Sequence, residues 1–174
     1  LDQGADGIQV PNIENKNDVM KGITFSKYPP IGNRGYSPFV PSSNYINNGS
    51  IWNQEMNKKL ITGINLEGIE AIENLESILE IEELDIIFVG LFDLSKALGI
   101  PGMVDDKIVI NKLKHVIKLC KGKNISIGTI ATSIENMDFL LQLGVNFIVY
   151  MVDMNVLCNS YMQINRSFKK FLNK

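Results

Sequence analysis

Cysteine, basic charge and long apolar runs are all scarce in this 174-residue sequence. Its two cysteines, Cys120 and Cys158, lie apart in helical contexts, which predicts free thiols in a reducing cytoplasm and no disulfide framework. Lysine and arginine number 17 against 19 acidic residues, and no basic cluster occurs, so we expect no nucleic-acid partner. No apolar run approaches the roughly 20 residues of a membrane span, so we expect no membrane contact.

Short apolar strands alternate with helical segments along the chain. Hydrophobic residues make up 45 % of the sequence, enough for one domain with a sizeable core. Nearly all-apolar strands between helices predict a parallel sheet covered by helices, with about five βα units over residues 1–174. The predicted strands are 7–11, 59–67, 85–90, 124–132 and 145–152. The predicted helices are 14–23, 68–81, 93–98, 107–122, 133–144 and a closing amphipathic helix after Asp153.

Residues 24–58 interrupt this alternation. The segment holds four of the six prolines together with three glycines and six asparagines. Loops of this length in compact α/β domains are usually functional or mobile. We therefore predict a long loop at the active site or at a subunit interface.

Two carboxylates follow neighbouring predicted strands. Glu67 ends the strand "TGINLE", and Asp93 lies just past the strand "IIFVG". In a parallel barrel both positions lie at the carboxyl-terminal face, so the two side chains can meet and share a divalent cation. The spacing equally fits two helix caps, with Glu67 before a helix at Gly68 and Asp93 before one at Leu94.

Several stretches resemble, in the right order, the signatures of one enzyme family. They are "LDQGADGIQVP", "KYPPIGNRG", "INLEGIEAIENLESILEIEELDIIFVGLFDLSKALGIPG" and "LGVNFIVYMVDMNVL". They are similar to the metal-dependent (class II) pyruvate aldolases of the HpcH/HpaI family, in the citrate lyase beta-like superfamily. The resemblance implies an α/β fold, a (β/α)8 TIM barrel of the phosphoenolpyruvate/pyruvate type, of which this chain supplies about the last five units.

The resemblance also implies the chemistry. It assigns Glu67 and Asp93 as ligands of a divalent cation, Mg²⁺ or Mn²⁺ and less typically Co²⁺. It implies reversible retro-aldol cleavage of 4-hydroxy-2-keto acids to pyruvate and an aldehyde through a metal-stabilised enolate, in a homo-oligomer. The residues it places at the substrate are Asn65, Gly90, Phe92 and Arg34, the last of which equally fits a role in ordering its loop.

The chain also departs from the family pattern. The family's histidine base and its pyruvate-binding arginine lie in an N-terminal third that this chain lacks, so we expect no catalytic residue here. The one histidine, His115, lies within a predicted helix, and we expect it to be a surface or packing residue. Asn65 stands where the family has glutamine, and Phe92 stands in a turn that is normally smaller. These changes leave a second hypothesis open, a non-catalytic barrel remnant that binds or oligomerises.

Overall fold

The fold is a parallel five-stranded α/β half-barrel, seen in a computed structural model that describes residues 1–46 and 49–172. The strands are β1 Gly7–Val10, β2 Ile61–Leu66, β3 Ile86–Val89, β4 Ser126–Ala131 and β5 Phe147–Tyr150. They pair in sequence order, β1-β2-β3-β4-β5, and every pair is parallel. All five predicted strands are therefore confirmed, and the architecture matches part of a TIM-like barrel.

Helices connect the strands. They are α1 Lys16–Ser26, α2 Gly49–Lys59, α3 Ile69–Glu73, α4 Leu75–Ile78, α5 Leu91–Ala97, α6 Lys107–Cys120, α7 Ile134–Leu143 and α8 Asp153–Leu172, with a short 3-10 helix at Pro41–Ser43. Side chains cap several of them, as when Asn15 accepts hydrogen bonds from the first backbone N–H groups of α1. Among these described helices, none is both long and apolar enough to cross a membrane.

The core lies between one face of the sheet and its helices. Alternate strand residues are fully or almost fully buried on this face, namely Ile64, Leu66, Ile87, Val89, Ile127 and Ala131. They pack against helix residues such as Val19, Leu75, Leu94 and Leu113. Because side chains alternate along a strand, the residues between them lie on the opposite, concave face. That face carries Asn65 of β2 and Phe88 of β3, both only partly buried.

Three sequence predictions need correction. The predicted helix 68–81 is two short helices, α3 and α4, because the chain turns at Asn74 between them. Helix α5 begins at Leu91, two residues earlier than predicted, so Asp93 lies inside its first turn. The predicted loop 24–58 contains most of α2, whose residues after Gly49 include neither proline nor glycine. Positions 47–48 of that predicted loop lie outside the described residues.

Helix α8 differs from the other helices in its burial. It is 20 residues long, yet none of its described side chains is buried. Seven large apolar side chains lie within a sector of about 100° on this helix at 3.6 residues per turn. They are Met154, Leu157, Tyr161, Ile164, Phe168, Phe171 and Leu172, each half or more exposed. We call these seven residues the α8 stripe.

Candidate metal and substrate site

A cavity of about 310 Å³ lies beyond the carboxyl-terminal ends of β1, β2 and β3. Three elements line it: the loop after β1, the loop after β2, and α5, which follows β3. Its polar lining residues are Asn12, Glu14, Glu67, Asp93 and Lys96. The fold thus brings the two predicted carboxylates, Glu67 and Asp93, to one cavity at the edge where barrel enzymes build their active sites.

Neighbouring groups hold the Glu67 carboxylate on both oxygens. The Asn65 amide donates a hydrogen bond from Nδ2 to Oε1 at 2.7 Å. The backbone N–H of Asn12 donates to Oε2 at 3.3 Å. On the third side lies Gly90, where a Cβ atom would stand 3.0 Å from Glu67 Cγ, closer than side chains ordinarily pack. These contacts give the side chain a defined orientation toward the cavity.

Asp93 lies in the first turn of α5 and is exposed to the cavity. The residues that precede α3 and α5 as N-caps are Gly68 and Gly90, and neither helix has a side-chain cap. The capping interpretation of Glu67 and Asp93 is therefore wrong. A carboxylate in a first helical turn does meet a favourable partial positive charge, which helps to place Asp93 there.

The donor set fits a hard divalent cation. Glu67 and Asp93 offer anionic oxygen ligands, the type that Mg²⁺ and Mn²⁺ prefer. Across residues 1–46 and 49–172, no cluster of three or more histidine, cysteine, aspartate or glutamate side chains could by itself hold a metal ion. Two protein carboxylates leave most of an octahedral shell open to water and substrate. The Glu14 carboxylate and the Lys96 ammonium line the same cavity and add one charge of each sign.

The other predicted site residues divide into two groups. Asn65 and Gly90 both contact Glu67, as described above. Phe92 is 48 % exposed and does not line this cavity. Arg34 does not reach the cavity either, because the segment that carries it lies at the opposite edge of the sheet. Within that segment the Lys27 side chain bonds to the carbonyl of Leu60, immediately before β2 begins.

Arg34 belongs to an aromatic cluster at this amino-terminal edge. Its side chain is only 8 % exposed, pairs with the Asp2 carboxylate and stacks over the Tyr28 ring at 4.7 Å. Tyr28, Tyr36 and Trp52 pack together with ring centroids 5.7–6.4 Å apart. No contact places Arg34 at the cavity where the substrate would bind. Its ion pair and its stacking on Tyr28 instead favour the alternative role, which is to order the loop.

Four polar residues of the site region have no place in the sequence-based predictions. Gln9 of β1 bonds to Asn65, and Asn12, Glu14 and Lys96 line the cavity. Gln9 is a polar residue within an otherwise apolar strand, and this pattern could have predicted a functional role for it. His115, by contrast, is exposed on α6 and does not line the cavity.

The fold and the site together define a class of protein. This chain is a parallel β/α half-barrel whose carboxyl-terminal edge carries two carboxylates that could hold a cation. A family model matches residues 1–160 and gives the particular family. The chain belongs to the HpcH/HpaI aldolase/citrate lyase family.

Curated relatives of this chain are named aldolases. It is 29 % identical over 153 residues to 2-keto-3-deoxy-L-rhamnonate aldolase of Klebsiella pneumoniae, an alignment that covers 88 % of this chain and 57 % of that enzyme. The enzyme of the same name from Salmonella typhi is 28 % identical over the same coverage. The chain therefore spans little more than half the length of these relatives.

Solved structures share the fold at lower identity. An HpcH/HpaI aldolase from Desulfitobacterium hafniense superposes with a TM-score of 0.88 at 24 % identity, over 95 % of this chain and 64 % of that one. An HpcH/HpaI aldolase/citrate lyase family protein from Burkholderia cenocepacia gives 0.90 at 22 % identity, over 97 % and 66 %. Macrophomate synthase gives 0.79 at 22 % identity, over 98 % and 62 %. These similarities establish the fold.

Proposed function

We propose that the protein containing this chain is a metal-dependent carbon–carbon lyase. It would cleave 4-hydroxy-2-keto acids reversibly to pyruvate and an aldehyde, and its barrel would be of the phosphoenolpyruvate/pyruvate type. Family membership and the aldolase names of the relatives support the reaction class. The observation that carries the proposal is that Glu67 and Asp93 line one cavity at the carboxyl-terminal edge of the sheet.

Glu67 and Asp93 are the residues that would hold the divalent cation, Mg²⁺ or Mn²⁺. A bound cation supplies Lewis-acid polarisation of the keto acid's oxygens, which makes removal of a proton next to the carbonyl easier. Asn65 and Asn12 keep the Glu67 oxygens oriented. In this proposal the proton-transferring base and the arginine for the pyruvate carboxylate come from outside the residues described.

The remaining residues of the site have smaller roles in the proposal. Gly90 lets the chain after β3 pass close to Glu67. Phe92 remains a proposed substrate contact from the exposed side of the same turn, although it does not line the cavity. Lys96 is the lysine that lines the cavity, and its charge would attract the anionic keto acid.

We further infer a homo-oligomer in the cytoplasm. The exposed α8 stripe supports assembly, because a monomer rarely leaves so many contiguous apolar side chains in water. Both cysteines are free, with Cys120 buried, which fits a reducing compartment.

Exchange of the pyruvate methyl protons for deuterium tests the proposed reaction without knowledge of the aldehyde. In the full-length protein, the wild type should catalyse exchange only with Mg²⁺ or Mn²⁺, as followed by proton NMR. Asp93→Asn and Glu67→Gln should each abolish it, because each removes one of two anionic ligands. Asp138→Asn, which changes an exposed carboxylate on α7, is the matched control and should leave exchange unchanged.

Two outcomes would contradict this proposal. Metal-dependent exchange that survives in both carboxylate variants would show that Glu67 and Asp93 are not the ligands. A wild-type protein that binds the cation but exchanges no protons would favour the non-catalytic binding domain.

A further inference from the structure

A chain of hydrogen bonds runs from β1 to the proposed metal ligand. Gln9 of β1 donates through Nε2 to Oδ1 of Asn65 on β2, and Asn65 Nδ2 donates to Glu67 Oε1 at 2.7 Å. The two strands are adjacent and parallel, with Gln9 opposite Gly63 in the register. Gln9, Asn65 and Glu67 therefore share the concave face, away from the buried core residues Ile64 and Leu66.

The Asn65 amide can point either of two ways, and Glu67 decides between them. A primary amide presents an oxygen acceptor on one side and an NH₂ donor on the other, whereas a carboxylate only accepts. The Asn65 NH₂ group therefore faces Glu67, and its Oδ1 accepts the hydrogen bond that Gln9 donates. Gln9 thus holds the amide in the orientation that Glu67 requires, and the reversed amide would set oxygen against the carboxylate, a repulsive contact in place of a hydrogen bond.

We propose that Gln9 is a positioning residue for metal binding, acting on Glu67 through Asn65. The inference rests on the proposed function only in taking Glu67 as a metal ligand. With Oε1 held by Asn65 and Oε2 held by the Asn12 N–H, the carboxylate is fixed before the cation arrives. Groups that hydrogen-bond to a metal ligand in this way commonly change metal affinity when they are removed.

The geometry also explains how a short side chain can serve at position 65. Asparagine is one methylene shorter than glutamine, so it reaches less far from the strand. Its amide is nevertheless engaged on both sides, by Gln9 from the neighbouring strand and by Glu67 from two residues along its own strand. The long Gln9 side chain on β1 therefore reaches Asn65 on β2 and links it into the hydrogen-bond chain to Glu67.

Mn²⁺ affinity of the full-length protein, measured from the electron paramagnetic resonance signal of free Mn²⁺, tests this role. Gln9→Leu removes the donor and should weaken binding roughly 10-fold, the lower end of the usual effect of such partners. Gln9→Glu should weaken it at least as much. Its carboxylate can only accept, so it competes with Glu67 for the Asn65 NH₂ group and weakens the hydrogen bond that orients Glu67. Simple charge attraction predicts the opposite, tighter binding in Gln9→Glu.

Two comparisons separate positioning from a general loss of structure. Gln3→Leu makes the same chemical change at an exposed residue ahead of β1 and should leave the Mn²⁺ affinity unchanged. In an Asn65→Leu background, Gln9→Leu should cost no further affinity, because the path to Glu67 is already cut. Thermal unfolding of each variant verifies that it is folded under the conditions of the binding measurement.

The results distinguish this inference from the proposed function. Wild-type affinity in both Gln9 variants, or tighter binding in Gln9→Glu, would overturn the positioning role whether or not pyruvate protons exchange. Weakened Mn²⁺ binding in both variants, together with a wild type that binds Mn²⁺ but shows no exchange, would support the role and contradict the lyase. A wild type that does not bind Mn²⁺ would overturn both.

Discussion

At the scale of single residues, Glu67 owes its orientation to neighbours on three sides. Asn65 and Asn12 each donate to one of its oxygens, and Gly90 passes close to its Cγ. A carboxylate held in this way loses little side-chain entropy when it binds a cation, because its rotamer is already fixed. Small changes around Glu67 should therefore alter metal affinity more than they alter folding.

Gly90→Ala tests the close approach. A Cβ at this position would stand 3.0 Å from Glu67 Cγ, so the glutamate must move by a few tenths of an ångström, against its two hydrogen bonds. We expect Mn²⁺ affinity in the full-length protein to fall several-fold with little change in unfolding midpoint. Gly35→Ala is the control, because a Cβ there meets nothing within 4 Å and this exposed glycine, next to Arg34, does not line the cavity. Equal affinities in the two variants would contradict the role of Gly90.

Sequence reasoning could place the carboxylates but not the groups that hold them. Glu67 and Asp93 follow neighbouring parallel strands, and the ends of such strands meet at one edge. The Gln9–Asn65 bond depends on which residues of β1 and β2 lie side by side, and a shift of one residue would turn Gln9 to the other face. The substrate role of Arg34 was open to doubt for a related reason, since a loop motif carries no information about which edge of the sheet the loop covers.

At the scale of elements, the strands and longer helices follow from their apolar periodicity, whereas α2 does not. Its sequence, "GSIWNQEMNKK", is polar on average and follows a stretch rich in proline and asparagine. Its residue pattern therefore did not predict a helix. Its position depends instead on contacts with distant residues. Asn57 bonds to the backbone N–H and carbonyl of Tyr28, and the buried Lys27 side chain donates to the carbonyls of Asn57 and Leu60.

Lys27→Met should destabilise the anchoring of α2. The substitution keeps the aliphatic stem but leaves two buried carbonyls without their donor, at a cost of about 1–3 kcal/mol. Burial lowers the pKa of Lys27, so keeping its ammonium charged costs the folded protein free energy at acidic and neutral pH, where the group is protonated in both the folded and the unfolded state. The wild type should therefore gain stability relative to the variant as the pH rises toward the ordinary lysine value of 10.5.

Chemical denaturation of the full-length protein at several pH values measures this difference. Lys59→Met is the matched control, because Lys59 lies exposed in the last turn of α2 and should change the free energy of unfolding by less than about 0.5 kcal/mol. A Lys27→Met protein as stable as the control across this range would show that the two carbonyl contacts do not hold the helix.

At the scale of the whole molecule, two exposed apolar surfaces bear on assembly. The sheet is open at β1 and β5, and its concave face carries the Phe88 and Phe147 rings, which stack edge to face at 6.2 Å over Gly128. The α8 stripe is the second of these surfaces. Curated relatives extend well beyond the aligned region. The stripe faces away from Thr132 and Ser133, which share a cavity with the polar side of α8.

A subunit contact through the α8 stripe gives the last prediction. Phe168→Asp places a charge in the middle of the stripe, and we expect it to shift the full-length protein to a smaller species in sedimentation velocity, since burying an unpaired carboxylate is costly. Asn159→Asp introduces the same side chain on the opposite, polar side of α8, where it lines the cavity with Thr132, and should leave the oligomer intact. If both variants sediment like the wild type, the stripe is covered within one chain and the oligomer, if formed, uses another surface. Dissociation by Asn159→Asp but not by Phe168→Asp would place the interface on the polar side of the helix instead.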